Sequence, residues 1–142
     1  MYSKKFELRW SDLDPNFHVQ HSKYYEFGAF VRMAYLLEHG LGIAEMNALK
    51  IGPILFREEC VFKKEIRFGD SLTVNLQLAS ARADYSRWTM VHEIWKNEDV
   101  LAAIITADGA WLNTASCKLA TTTPLIIDIF EAAPRQANFT FQ

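Results

Sequence analysis

The chain opens on a short alternation in which Phe6, Leu8 and Trp10 share one face, which predicts a first strand over Phe6–Trp10. A polar run, SDLDPNFHVQH, interrupts it. From Ser22 to about His39 the spacing turns helical, with Tyr24, Tyr25, Phe27, Gly28, Val31, Ala34, Tyr35 and Leu37 on a stripe so broad that other elements should cover most of the helix. Ser22 is the expected N-cap and Gly40 the stop. Gly28, in mid-helix, lowers helix propensity and points to close approach by another element.

A short helical turn is expected within Leu41–Lys50, and beyond it the period is two almost throughout. A strand is predicted over Ile54–Arg67, irregular near Lys63 and Lys64, with a turn at Gly69-Asp70. Leu72, Val74, Leu76 and Leu78 then alternate with polar residues, as do Trp88, Met90, His92 and Ile94 on the next strand, whose other face is also bulky. A further strand runs from Leu101 to about Leu112, with Gly109 fitting a bulge or a close contact. Thr123-Pro124 opens a last helix with Pro at its first position, and the closing Phe-Thr-Phe is expected either to pack on a partner or to fray. One long helix wrapped by one strongly curved antiparallel sheet is the economical packing of these elements.

At 142 residues, half of them apolar, the chain reads as a single domain over residues 1–142 that can bury a core without staples. A net charge of −2 provides no field for a phosphate backbone, so nucleic acid is not an expected partner. Cys60 and Cys117 sit apart with no CxxC and read as free thiols. No run reaches the length of a membrane span and no leader is evident, so the expected location is the cytoplasm, without membrane association. Ten Phe, five Tyr and four Trp exceed ordinary core needs and suggest pockets or interfaces.

The chemistry concentrates between the first strand and the long helix, where Asp12, Asp14, His18 and His21 lie within ten residues. On the residues alone, Asp12 and Asp14 serve either as turn and cap groups or as catalytic carboxylates. Metal binding lacks any specific ligand spacing, and the GxSxG elbow of a serine hydrolase is missing. His39 suits a helix C-terminus, and His92 alternates with core residues.

The run RWSDLDPNFHVQHSKYYEF resembles the signature of the hotdog-fold acyl-CoA thioesterases of the 4-hydroxybenzoyl-CoA thioesterase type. The matching positions are Asp12, Asp14, Pro15, His18, Val19 and Tyr24, and the downstream FKKEIRFGDSLTV resembles the family's second-strand and turn motif. The resemblance implies an α+β hotdog fold. It implies Asp14 as the catalytic aspartate, acting as nucleophile or as base on water, and the backbone N–H of His21 as oxyanion donor at the opening of the helix. A helix N-terminus directs unpaired N–H groups and positive dipole at a developing oxyanion, so the physics agrees. His18 would cap the loop, orient it or carry a proton, and Tyr24 would pack on it or hydrogen-bond to it. The chain departs from the pattern at Phe17, which stands where the family has glycine, and at Gln20 and His21, which replace paired asparagines.

Phe17, Tyr24, Tyr25, Lys63 and Arg67 are the expected substrate-binding residues. An acyl pocket would draw on Phe17, Tyr25, Phe27, Phe56, Phe62 and Trp88, and cations for Coenzyme A phosphates on Arg57, Lys63, Lys64, Arg67 and Lys118. The implied function is hydrolysis of an acyl-CoA or aroyl-CoA to the free acid and Coenzyme A, without cofactor or metal. The implied assembly is a homodimer, or a tetramer built from two of them, with the site at the subunit interface. The rivals are a thioesterase acting on acyl carrier protein and a non-catalytic acyl or acyl-CoA binding protein.

Overall fold

The computed structural model describes all 142 residues. In chain order the elements are β1 (Tyr2–Phe6), a 3-10 turn (Trp10–Asp12), α1 (Lys23–Glu38), α2 (Ile43–Leu49), β2 (Ile51–Phe62), β3 (Leu72–Ala81), β4 (Arg87–Lys96), β5 (Val100–Asn113), β6 (Lys118–Leu119), α3 (Pro124–Glu131) and β7 (Arg135–Phe141). The strands form one sheet in the order β1-β3-β4-β5-β2, with β6 on the end of β5 and β7 beside β3. All of the pairings along that path are antiparallel, and the sheet curls around α1. The α+β hotdog arrangement expected from the sequence is therefore the one observed.

Alternation on β3 and β4 places Leu72, Val74, Leu76 and Leu78, and Trp88, Met90, His92 and Ile94, on the inner, buried face. Gly28 lets α1 approach that face: a Cβ there would stand 3.1 Å from the His92 ring and 3.5 Å from Ile105. Gly109 does the same on β5, where a Cβ would meet the Trp88 ring at 2.4 Å and the Ile54 carbonyl at 2.7 Å. The Thr123 side chain caps α3 from the Ile126 amide, and Pro124 occupies the first turn, as predicted.

The structure corrects several expectations. The first strand ends at Phe6 rather than spanning Phe6–Trp10, because Trp10 opens a 3-10 turn that the Arg9 and Asp12 hydrogen bonds tie down. Ser22 is already helical in φ and ψ and makes no capping bond, while the Lys23 amide donates to Gln20 O. The second strand is Ile51–Phe62 rather than Ile54–Arg67. It slips register between Leu55 and Arg57, and it ends where the Lys63 and Lys64 amides both donate to Ala102 O. The tail neither frays nor waits for a partner: β7 pairs with β3 in parallel, and Phe139 and Phe141 pack edge to face.

The long helix is covered only in part. Tyr24, Phe27, Gly28, Val31, Arg32, Tyr35 and Leu36 are buried, whereas Phe30, Met33 and Leu37 are exposed. Beside them runs β2, the last strand of the sheet, whose Leu55, Phe56, Val61 and Phe62 are also exposed. No helix is long and apolar enough to cross a membrane.

Beneath α1 lies a buried polar network that the sequence hides. His92 is fully buried; its Nδ1–H donates to Asn75 O at 2.9 Å, and its Nε2 accepts from Arg32 Nη1 at 3.0 Å. Two partners of opposite character fix the neutral tautomer. Burial first, then the Arg32 charge, push the imidazole down to about 3, against the Asn75 carbonyl, which favours protonation. Arg32 reaches Glu58 at 3.5 Å, and Asn75 exchanges hydrogen bonds with Glu93.

Candidate active site

The loop between the 3-10 turn and α1 is rigidly built. Asp12, only 2 % exposed, accepts from the Arg9 amide and guanidinium. Burial pushes its carboxyl up, but the hydrogen bonds from Arg9 and the charges of Arg9 and Lys23 outweigh it and hold it below the usual range. Asp12 is thus a brace, and its carbonyl takes the Gln20 amide at 2.8 Å. The Gln20 side chain ties the two arms together by donating to Leu13 O at 2.7 Å. Leu13 and Val19 bridge each other, and His18 bridges Arg67, so the loop also joins the segment that follows β2.

Within this frame Asp14 closes a tight turn. Its Oδ1 accepts from the amides of Asn16 at 2.9 Å and His18 at 3.1 Å, and its carbonyl accepts from Phe17 N at 3.0 Å. Oδ2 has no partner in the chain and is the oxygen available for chemistry. Phe17 adopts φ +63°. The left-handed turn that glycine would make is therefore present even with a phenyl side chain, at a cost of about 1–2 kcal/mol.

Asp14, His18 and His21 line one cleft of about 370 Å³, together with Val19, Tyr24, Phe62, Lys63, Lys64 and Glu65. The amides of His21 and Ser22, at the opening of α1, donate to nothing within the chain. Tyr24 is buried at the cleft wall with its ring edge-on to Phe62 at 4.9 Å. Burial, then the charges of Cys60, Asp14 and Glu65, push its phenol up to about 12. His18 Nε2 lies 3.2 Å from Glu65, which also pairs with Arg67. The Arg67 hydrogen bond, above all, holds the Glu65 carboxyl below its ordinary range. Lys63 and Lys64 are exposed and have no acidic partner.

A second cleft, about 400 Å³, shares His18 and is lined by Trp10, Asn16, Phe17, Arg67 and Phe68. Sequence reasoning missed Trp10 and Phe68, which are 58 positions apart with no motif linking them. Tyr25 lines neither cleft and packs against the core. The six residues expected to form one pocket, Phe17, Tyr25, Phe27, Phe56, Phe62 and Trp88, do not share a single cleft in one chain: Phe17 and Phe62 face different clefts, Phe27 is core, and only Phe56 and Trp88 meet, in a polar cleft with Arg87 and Asp108.

Trp88 also lines an apolar cavity of about 170 Å³ between α1, β2 and the sheet, with Ala29, Met33, Leu36, Pro53 and Leu55 among its walls. It lies six or more residues along α1 from the opening, at least about 9 Å at 1.5 Å per residue. It is therefore not part of the Asp14 cleft of the same chain.

Comparison with known proteins gives a consistent result. Residues 8–130 match the family described as the thioesterase-like superfamily. No curated protein matches the chain. Among solved structures, a Staphylococcus aureus hypothetical protein in complex with CoA superposes with TM-score 0.84 at 18 % identity, over 96 % of this chain and 87 % of that one. A 1,4-dihydroxy-2-naphthoyl-CoA thioesterase from Synechocystis gives 0.81 at 16 % identity, over 92 % and 96 %. A gentisyl-coenzyme A thioesterase gives 0.78 at 20 % identity, over 90 % and 98 %.

Proposed function

We propose that this chain, which belongs to the thioesterase-like superfamily, hydrolyses acyl-CoA or aroyl-CoA thioesters to the free acid and Coenzyme A. The observation that carries this is the cleft lined by Asp14, by His21 with its unpaired amide at the opening of α1, and by two unpaired lysines. The CoA complex and the CoA thioesterases of the same fold support the choice of donor.

Oδ2 of Asp14 attacks the thioester carbon, or takes a proton from water that does so. The carbonyl oxygen becomes an oxyanion facing the His21 and Ser22 amides. When Asp14 acts as base, the C–S bond then breaks and the thiolate leaves with the proton that Asp14 took from water. When it acts as nucleophile, the C–S bond breaks to leave an acyl-aspartyl anhydride and the thiolate, and water opens the anhydride in a second step, returning the Asp14 carboxylate, the free acid and the proton that the thiolate takes up. Lys63 and Lys64 hold the phosphates of the donor, and His18, tied to Glu65, positions the loop.

The active assembly is a homodimer. β2 has an unpaired outer edge twelve residues long, beside the exposed Met33 and Leu37 of α1, and a bare edge of this kind is an aggregation hazard in a monomer. Two β2 edges related by a two-fold axis pair antiparallel. The Phe62 end of one copy then lies beside the Ile51–Leu55 end of the other, which brings the Asp14 cleft of one chain next to the apolar cavity of its partner. That cavity receives the acyl group.

Release of free thiol from short, medium, long and aromatic acyl-CoAs tests the activity. Light scattering tests the assembly, with a mass twice 16.3 kDa expected and a monomer expected for Val61→Lys. A wild-type monomer that hydrolyses acyl-CoA at full rate would remove the interface from the mechanism.

A further inference from the structure

The cleft beside the catalytic loop is built from aromatic rings placed at rigid corners. Trp10 is 68 % and Phe17 63 % exposed, values ordinary for lysine and unusual for these residues. Trp10 stacks on Phe68 with centroids 4.9 Å apart and planes 15° from parallel, and Phe17 meets Trp10 edge-on at 6.3 Å. Besides these contacts, each ring is placed by a fixed backbone turn. Asp12 locks the turn that starts at Trp10, and Phe17 is projected by a left-handed φ. Phe68 occupies the corner of a turn closed by Asp70 N to Arg67 O at 3.0 Å, with Gly69 at φ +102°. Strain retained at such a position is a pointer to function.

We infer that Trp10, Phe17 and Phe68 seat the adenine ring of the Coenzyme A donor, with its phosphates on Lys63 and Lys64; the inference rests on the thioesterase reading. A ring stacked there stays half in water, which suits a base rich in ring nitrogens and does not suit a hydrocarbon chain. The two clefts meet at His18, so the cations that would neutralise the phosphates adjoin the aromatic seat. Aromatic stacking on a base is tolerant of its edge pattern and needs only an exposed face. The seat makes the nucleotide end part of recognition, and so discriminates Coenzyme A from a carrier protein, which presents pantetheine without adenine.

The test uses adenosine 3′,5′-bisphosphate, the nucleotide end of the donor without a thioester, titrated calorimetrically into wild type, Trp10→Ala and Phe68→Leu. Binding to wild type and about tenfold weaker binding to both variants is expected. In turnover, Trp10→Ala should raise KM for an acyl-CoA about tenfold at unchanged kcat, and leave the same acyl group on pantetheine hydrolysed as by wild type. Equal bisphosphate binding by all three proteins overturns the inference. So does a KM rise shared by both donors, or a smaller oligomer in Trp10→Ala with nucleotide binding intact, which would make the patch an interface between copies. Bisphosphate bound through Trp10 by a protein that hydrolyses no thioester would uphold the seat and remove the hydrolase reading.

Discussion

Phe17 provides a direct reading of whether the Asp14 loop keeps its turn. Its φ of +63° is a conformation that glycine adopts freely and other residues adopt at a cost of about 1–2 kcal/mol. Replacing Phe17 by Gly or by Ala removes the same ring, so the lost contact with Trp10 cancels between the two variants. The difference left is the left-handed penalty, reduced by the roughly 0.4–1 kcal/mol that glycine loses through its freer unfolded chain. Phe17→Gly should therefore be more stable than Phe17→Ala by about 0.5–1 kcal/mol. With an unfolding entropy of about 2.1 cal/mol/K per residue, that separates their melting temperatures by roughly 2–3 °C. Calorimetry at equal protein concentration measures it. Phe17→Ala melting at or above Phe17→Gly would mean that the backbone at this position is not left-handed, and the geometry that aims the Asn16 and His18 amides at Asp14 would fall with it.

Three further expectations concern the frame around the site. His92 is held neutral far below its ordinary value of 6.5, so as pH falls the unfolded chain takes up a proton that the folded chain refuses. Stability should then drop by up to about 1.4 kcal/mol per pH unit from pH 6.5 towards 3. Urea titrations of wild type and His92→Gln should diverge in slope over this window, and parallel slopes would contradict the buried neutral imidazole. Asp12 adds an acid sensitivity of the same direction: its depressed carboxyl contributes stability above its unfolded value of 3.8, lost as pH falls through the folded value. Asp12→Asn should flatten the acid limb below pH 4, and an unchanged limb would show that Arg9 does not hold it. Gly109→Ala sets a methyl against the Trp88 ring and the Ile54 carbonyl, and should destabilise by about 3 kcal/mol in urea unfolding.

Local and periodic features were legible in the sequence. The alternation on β3 and β4 needs only neighbours two apart, and Thr123-Pro124 is its own signal. Gly28 announced a close approach, although not that His92 makes it. The loop that carries Asp14, His18 and His21 was legible as a candidate site because its residues lie within ten positions and resemble a known pattern. What escaped depends on contacts between distant residues. Arg32 looks like a solvated helix position and is buried because Glu58 and His92 await it on the sheet. Trp10 read as a strand residue until the Arg9 and Asp12 bond turned the chain, and its meeting with Phe68 has no local trace. The expected acyl pocket failed for a related reason: alternation says which side chains share a face, but not which end of a curved sheet they occupy.

Thiol release from an acyl-CoA hydrolysed by wild type, compared with Asp14→Asn of unchanged melting temperature, asks whether the Asp14 carboxylate performs thioester chemistry at the opening of α1. The variant retains the amide-to-Oδ1 bonds that shape the turn and loses only the charge, so kcat should fall roughly 10²–10⁴-fold. Turnover within a few fold of wild type would contradict the assignment.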